Sequence, residues 1–440
     1  MSFHPFLPAL AGLCGLLIGR LLFERWFNHF SLYSLIWGAG LALFEWRLID
    51  YTPIAAEVWM LIGYAWAAFG VGAAILILAK AAIGERPSVE VVAYSTRTTL
   101  VEKRLLTAFI LLLSLIAIVT VIQHWMVLIN RFGSILGVLI NGSRIYHLTV
   151  AGKITGKLPY FDSLALTGIC LAGVYCARYG KITILALPPF AATILSDIGQ
   201  GGRAKILIGG ILFFTAYLLT RLSPAPSRAM HKAKKLIAFI VVFASLLSAM
   251  EFIRSYRGAF ESFYGASKEL SRFEGKIFFT PSIYIYLSSH PGVLSAYWKA
   301  GGEPTPFPGS YTFAPLFRVL AKFGLTENVP FFQKFYNIPF ATNTATYLRE
   351  LHSDFGITGI LVAPFLLGLV TTHLWLKVRQ RYSLVTISLL THVYVIIAFT
   401  YLFQVTRLGQ LAVSLIAALF IGGIVDHIRD QVAAERKPAA

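Results

Sequence analysis

Residues 343–368 read NTATYLRELHSDFGITGILVAPFLLG, a polar run that passes into the charge-free apolar stretch 357–376. About 20 such residues cover the ~30 Å of bilayer hydrocarbon. The stretch therefore reads as a membrane span, with Tyr347 to Asp354 as the exposed first turns of one long helix. Helical spacing sets Arg349 and His352 on one side, with Asn343 or Thr346 loosely aligned, and Glu350 and Asp354 on another as an i, i+4 pair. A cation, a titratable imidazole and two carboxylates thus meet where a span leaves the bilayer. Taken singly, each has a plain alternative, such as Arg349 bridging Glu350 and Asp354 serving as a surface charge. For the cluster as a whole, function is the expectation.

Outward from this segment the same pattern recurs. Apolar stretches at 58–79, 105–128, 236–250, 383–404 and 408–425, with shorter ones at 5–18, 30–44, 163–177, 182–196 and 206–220, bring the expected spans to about eleven. With 57% hydrophobic and 13% charged residues, the fold class is an all-α, polytopic transmembrane helical bundle carrying one large, mostly helical external loop. The expected organisation is an N-terminal bundle of about eight spans over 1–250, the loop as a cap over 251–353, and a C-terminal hairpin with a last span and tail over 354–440. The first segment has no basic run before it and no small-residue cleavage site after it, so it reads as a retained span. Cys14, Cys170 and Cys176 all fall in apolar runs, which argues against a disulfide framework.

Lysine and arginine set the orientation, since short loops rich in them stay cytoplasmic. One set of loops and the tail carry 20 of them against 8 in the opposite short loops, which makes the tail cytoplasmic and the large loop external. The formal charge of +18 is in good part this topology signal, and no nucleic-acid partner is expected from it. The external side is basic as well, with ten Lys/Arg against six Asp/Glu over 254–350. That excess is either solvated charge or an attraction for an anionic substrate at the outer membrane surface.

Two further stretches carry candidate chemistry. Residues 182–220 hold two apolar runs with little chain left for a loop, so SDIGQGGRAK must lie close to the headgroups, with Asp197, Arg203 and Lys205 near hydrocarbon. Either Asp197 and Arg203 close a tight turn and Lys205 snorkels to the interface, or Arg203 and Lys205 hold a phosphate beside a glycine-rich turn. In the large loop, KIFFTPSIYIYLSSHPGVLSAYW fits a strand or a short helix, and its Tyr284, Tyr286, Tyr297 and Trp298 serve either a glycan pocket or an interfacial belt. GGEPTPFPGS reads as a turn-rich surface segment.

The chain resembles the bacterial Wzy-type polymerases of oligosaccharide repeat units, which build O-antigen and exopolysaccharide, a family related to the O-antigen ligases. The resemblance rests on some eleven spans with one large external loop before the last three, on Gly202, Arg203 and Ala204 in a short external loop, and on NTATYLRELHSDFG leading into a glycine-rich span. Arg131 with Gly142 and Arg254 with Gly265 also fit an arginine-to-glycine spacing of some members, whereas the Ser-Arg-Gly order of relatives is here Gly-Arg-Ala.

The resemblance implies a GT-C-like bundle in the bacterial inner membrane. It implies a glycosyltransferase that moves a growing glycan from undecaprenyl diphosphate to the non-reducing end of an incoming lipid-linked repeat unit. Arg203, Arg349, Arg254, Arg257 and Lys205 would bind the diphosphate, with Arg203 foremost. His352, Asp354 and Glu350 would be catalytic, and Tyr284, Tyr286, Trp298 and Asn343 would line the glycan site. No metal-ligand spacing is seen on the external side, so no metal and no cofactor are expected. Implied partners are the lipid-linked oligosaccharides, membrane lipid, and a chain-length regulator and flippase of the same pathway. The alternatives are a ligase acting on lipid A core, a lipid-linked oligosaccharide flippase or exporter, which wants charges deep in several spans, and a non-catalytic scaffold.

Overall fold

The computed structural model describes residues 4–84, 96–180 apart from 152, 155–157 and 159, then 184–202, 204–224, 281–330 apart from 304 and 306, and 333–435. They are mostly helical and fall into two compact units. Every apolar stretch named above falls on a helix, except 236–250, which lies outside the described residues. Seven of the described helices are long and apolar enough to cross a membrane.

The first unit holds the described residues of Met1–Arg86, Glu261–His373 and Val395–Gly409. Helices α1 (Phe6–Phe23) and α2 (His29–Glu45) approach through glycine, where a Cβ on Gly38 would come within 2.6 Å of the Gly12 Cα. Asn28 caps α2 by accepting the Ser31 amide at 2.8 Å. Helix α3 (Ala56–Ile83) meets the membrane part of α13 (Tyr347–Gln380) just as closely, since a Cβ on Gly368 would lie 2.3 Å from the Phe69 carbonyl oxygen. Small residues at such crossings let helices pack in lipid, where no hydrophobic effect drives them together.

Three short helices, α10 (Pro281–Ser288), α11 (His290–Lys299) and α12 (Ala314–Lys322), account for the described part of the loop, so its tyrosine-rich stretch is helical. An antiparallel pair, β1 (Tyr336–Asn337) and β2 (Ala341–Thr342), with Tyr336 opposite Thr342, is the one sheet among the described residues.

The head of α13 corrects two expectations. Gly356 adopts φ 64° and ψ −153°, so the polar head and the membrane span are separate helical pieces joined at a break. The head is also covered: Tyr347, Leu348, Arg349, Glu350 and Leu351 are buried, because loop residues and residues 400–407 fold over it. The Tyr347 amide donates to the Thr400 carbonyl at 3.0 Å, and the Tyr347 and Tyr33 hydroxyls bond at 3.0 Å.

The second unit holds the described residues of Pro87–Phe260, Leu374–Tyr394 and Gln410–Ala440. It comprises α4 (Thr96–Phe132), α5 (Ile135–Ile140), α6 (Gly142–Val150), α7 (Leu164–Tyr179), α8 (Leu187–Gln200) and α9 (Ala204–Leu222), with the end of α13, the start of α14 (Leu384–Phe399) and most of α15 (Gly409–Ala434). Helix α7 is buried on all sides from Ala165 to Arg178. Its last turn carries Arg178, which pairs with Glu102 at 2.9 Å, and Glu102 also accepts the Tyr382 hydroxyl at 2.7 Å. Asp426 of α15 caps α14 by accepting the Leu384 and Val385 amides. Helix α8 has only 14 residues. It rises about 21 Å, short of the ~30 Å hydrocarbon thickness, so the expected full span at 182–196 is a shorter element.

Candidate functional site

Arg349, one turn into α13, is the centre of the first unit's polar cluster. Its side chain is 1% exposed. Nη1 donates to the Asn343 carbonyl at 2.9 Å, and Nη2 to the Lys334 carbonyl at 3.1 Å and to Glu303 Oε2 at 3.4 Å. The guanidinium sits beside two tyrosine rings that meet edge-on, 5.3 Å from the Tyr297 centroid and 5.2 Å from that of Tyr336. A planar, delocalised cation suits this slot where an ammonium does not.

Glu303 joins this core to solvent. It accepts the Tyr336 hydroxyl at 2.9 Å and faces Lys334 Nζ at 3.2 Å, and the Lys334 side chain is 64% exposed. Burial alone would raise the Glu303 carboxyl. The hydrogen bonds from Tyr336 and Lys334 and the charges of Arg349 and Lys334 outweigh it and hold the group below its usual range. Burial, then the neighbouring Glu303, pushes the Tyr336 hydroxyl up to about 12.

His352 sits one helical turn beyond Arg349. Its Nδ1 is 2.8 Å from the Tyr297 hydroxyl, which also lies 3.0 Å from Ser353 Oγ, and its ring packs edge-on against Trp298 at 5.0 Å. Nε2 has no protein partner among the described residues. When Tyr297 donates to Ser353, its oxygen accepts Nδ1–H and leaves the Nε2 lone pair free, the arrangement a general base requires.

The two carboxylates read from the sequence have different tasks. Asp354 accepts from Thr305 Oγ1 (3.2 Å), the Tyr311 amide (3.1 Å), and the amide and hydroxyl of Thr312 (both 2.7 Å). Three donors are its own and the Thr305 hydroxyl is shared with the Phe307 and Ser353 carbonyls, so it pins the loop to the helix and is corrected from catalytic acid or base to anchor. Glu350 is buried and faces Arg407 at 3.3 Å, with Oε2 left without a partner among the described residues. The Arg407 guanidinium in turn lies 5.6 Å from the Tyr311 ring centroid.

The structure thus gathers Arg349, Glu350, His352, Asp354, Trp298 and Asn343, and adds Glu303, Lys334, Tyr297, Tyr336, Arg407 and Tyr311. Enclosure corrects Arg349 from direct diphosphate ligand to a group that positions Lys334 and Glu303. Tyr286 packs on His290, away from this core. Tyr284 is fully buried and its hydroxyl donates to the Leu43 carbonyl, so it has no face for a glycan. Lys205 lies in the second unit and turns inward to Asp162, with Ser196 Oγ at 2.7 Å, so its charge is already neutralised. Asp197 accepts the Ile206 amide at 3.0 Å. Arg203, Arg254 and Arg257 lie outside the described residues. Among the described residues no three His, Cys, Asp or Glu side chains converge as a metal-binding group.

Apart from this cluster, α1, α2 and α3 enclose an apolar cleft of about 470 Å³ lined by side chains such as Leu7, Trp37 and Trp66. It offers no charged group. Trp37 continues from the cleft to the head of α13, 6.1 Å from the Tyr347 ring.

No family model, curated protein or solved structure matches this chain.

Proposed function

We propose that the chain is a polysaccharide polymerase of the bacterial inner membrane. It transfers a growing glycan from undecaprenyl diphosphate to the non-reducing end of an incoming lipid-linked repeat unit. The observation that carries this reading is the open Nε2 of His352, held by Tyr297 beside the Lys334–Glu303–Arg349 cluster. His352 takes the proton of the acceptor hydroxyl as that oxygen attacks the anomeric carbon, and the bond from that carbon to the diphosphate breaks. Lys334 meets the departing diphosphate. Fixed donors aimed at such developing charge contribute about 3–4 kcal/mol. The apolar cleft among α1, α2 and α3 suits a polyprenyl chain. In this reading about eleven spans form a GT-C-like bundle with the cap outside, and a flippase and a chain-length regulator act in the same pathway.

Glycan gels of cells lacking the protein test the activity. Single-repeat products are expected, total loss of capped lipid would indicate a ligase, and unchanged ladders would remove both. As a site test, His352→Ala is expected to lower chain extension by roughly 10²–10⁴-fold, the usual worth of a general base, with the protein still reaching the membrane. Full-length ladders from that variant would exclude His352 from the chemistry.

A further inference from the structure

A cavity of about 190 Å³ opens in the first unit beside Asp354, lined by Thr305, Phe307, Ser310, Tyr311, Glu327 and Asn328, with Val329 and Pro330 behind. Nothing in the reaction described above uses it. At ~30 Å³ per water it holds roughly six waters, and it falls below the ~300 Å³ at which pockets for drug-sized ligands begin. One small ring fits, and two do not.

Its walls carry the two things a pyranose asks for. Tyr311 and Phe307 offer flat apolar surface for the C–H face of a ring. A carboxylate, an amide and two hydroxyls offer acceptors and donors for vicinal hydroxyl groups, each of which both donates and accepts. Ser310 lines the cavity at only 4% exposure, and its hydroxyl both donates and accepts. The site is also fixed in place, since Asp354 grips the Tyr311 amide and both the amide and hydroxyl of Thr312.

Charge separates this pocket from the diphosphate locus. Among the described residues Glu327 is the one charged side chain lining it, and Arg407, on the neighbouring Tyr311 ring, is paired with Glu350. A carboxylate at the rim repels uronic and sialic acids as well as phosphate. We infer that this cavity is a subsite for one uncharged pyranose ring, the residue of the acceptor glycan that sits next to the reacting hydroxyl. The acceptor assignment rests on the polymerase reading, whereas the binding of a neutral pyranose does not.

The purified full-length protein in nanodiscs, probed by saturation-transfer-difference NMR, tests it. The probes are the methyl pyranosides of glucose, galactose, mannose and N-acetylglucosamine, with methyl glucuronide as the acidic counterpart. At least one neutral pyranoside is expected to receive transfer on its ring C–H protons, and the glucuronide none. Phe307→Ala, at an exposed position, is expected to weaken that binding about tenfold, and Glu327→Gln to admit the glucuronide, both with unchanged thermal unfolding. Absence of transfer to every neutral pyranoside would overturn the proposal, as would equal transfer in Phe307→Ala or binding of the glucuronide by the wild type. Failure here with intact repeat-unit ladders in cells discards the subsite alone. Pyranoside binding in a protein whose loss leaves ladders unchanged discards the polymerase and keeps the site.

Discussion

Arg349 spends both terminal nitrogens of its fork on the protein, so its value is geometric: it fixes the hairpin that carries Lys334 and Tyr336. A lysine in that slot cannot bond two carbonyls and a carboxylate in one plane. Arg349→Lys is expected to destabilise by about 1–3 kcal/mol, seen as a lower unfolding temperature in detergent, and equal temperatures for the two proteins would refute this positioning role. Glu303 gives a pH test. Its folded pKa is depressed, so the stability it contributes is fully present above the unfolded carboxylate value near ~4.3 and is lost as pH falls through the lower folded value. The unfolding-temperature gap between wild type and Glu303→Gln should therefore be constant from neutrality down to that range and close below it. A gap that persists through strong acid would show that the carboxylate is not held ionised there. Arg349 and His352 were legible in the sequence because helical spacing aligns them. Glu303 and Arg407 were not, since they reach Arg349 and Glu350 across 46 and 57 residues and nothing local marks either.

Among the elements, α13 shows where sequence reading stops. Hydropathy located its membrane part, but a lone glycine in a helical pattern costs only ~1 kcal/mol and does not announce a break. The backbone at Gly356 lies in a region open essentially to glycine alone. A Cβ there would meet nothing within 4 Å, so the cost of a side chain is purely conformational. Gly356→Ala is accordingly expected to cost about 1–3 kcal/mol without disturbing packing, and calorimetry showing no change would mean the helix runs straight through. The burial of the helix head was illegible for another reason. Its cover comes from the described residues of 303–342 and from 400–407, remote segments whose own patterns are too short to foretell where they fold.

For the whole molecule, the charge asymmetry of the loops makes a topological prediction. In a variant without Cys14, Cys170 and Cys176, Lys299→Cys should react with an impermeant maleimide in intact spheroplasts, and Lys437→Cys only after they are opened. The reverse pattern would invert the protein and remove the cap from the outer surface. Hydropathy found the helices without their ends, and the run read at 182–196 is wound from Ile184 to Gln200. With the turn before it, this apolar helix runs Ile184–Gln200 and is roughly 5 Å short of an ordinary bilayer's hydrocarbon. Where it crosses, lipids along its flank shorten or tilt to cover it, at a fraction of a kcal/mol per Å of mismatch. In the proposed reaction, a polyprenyl carrier approaching from that flank would meet a thinned membrane, in which its headgroup already lies lower than in the surrounding sheet.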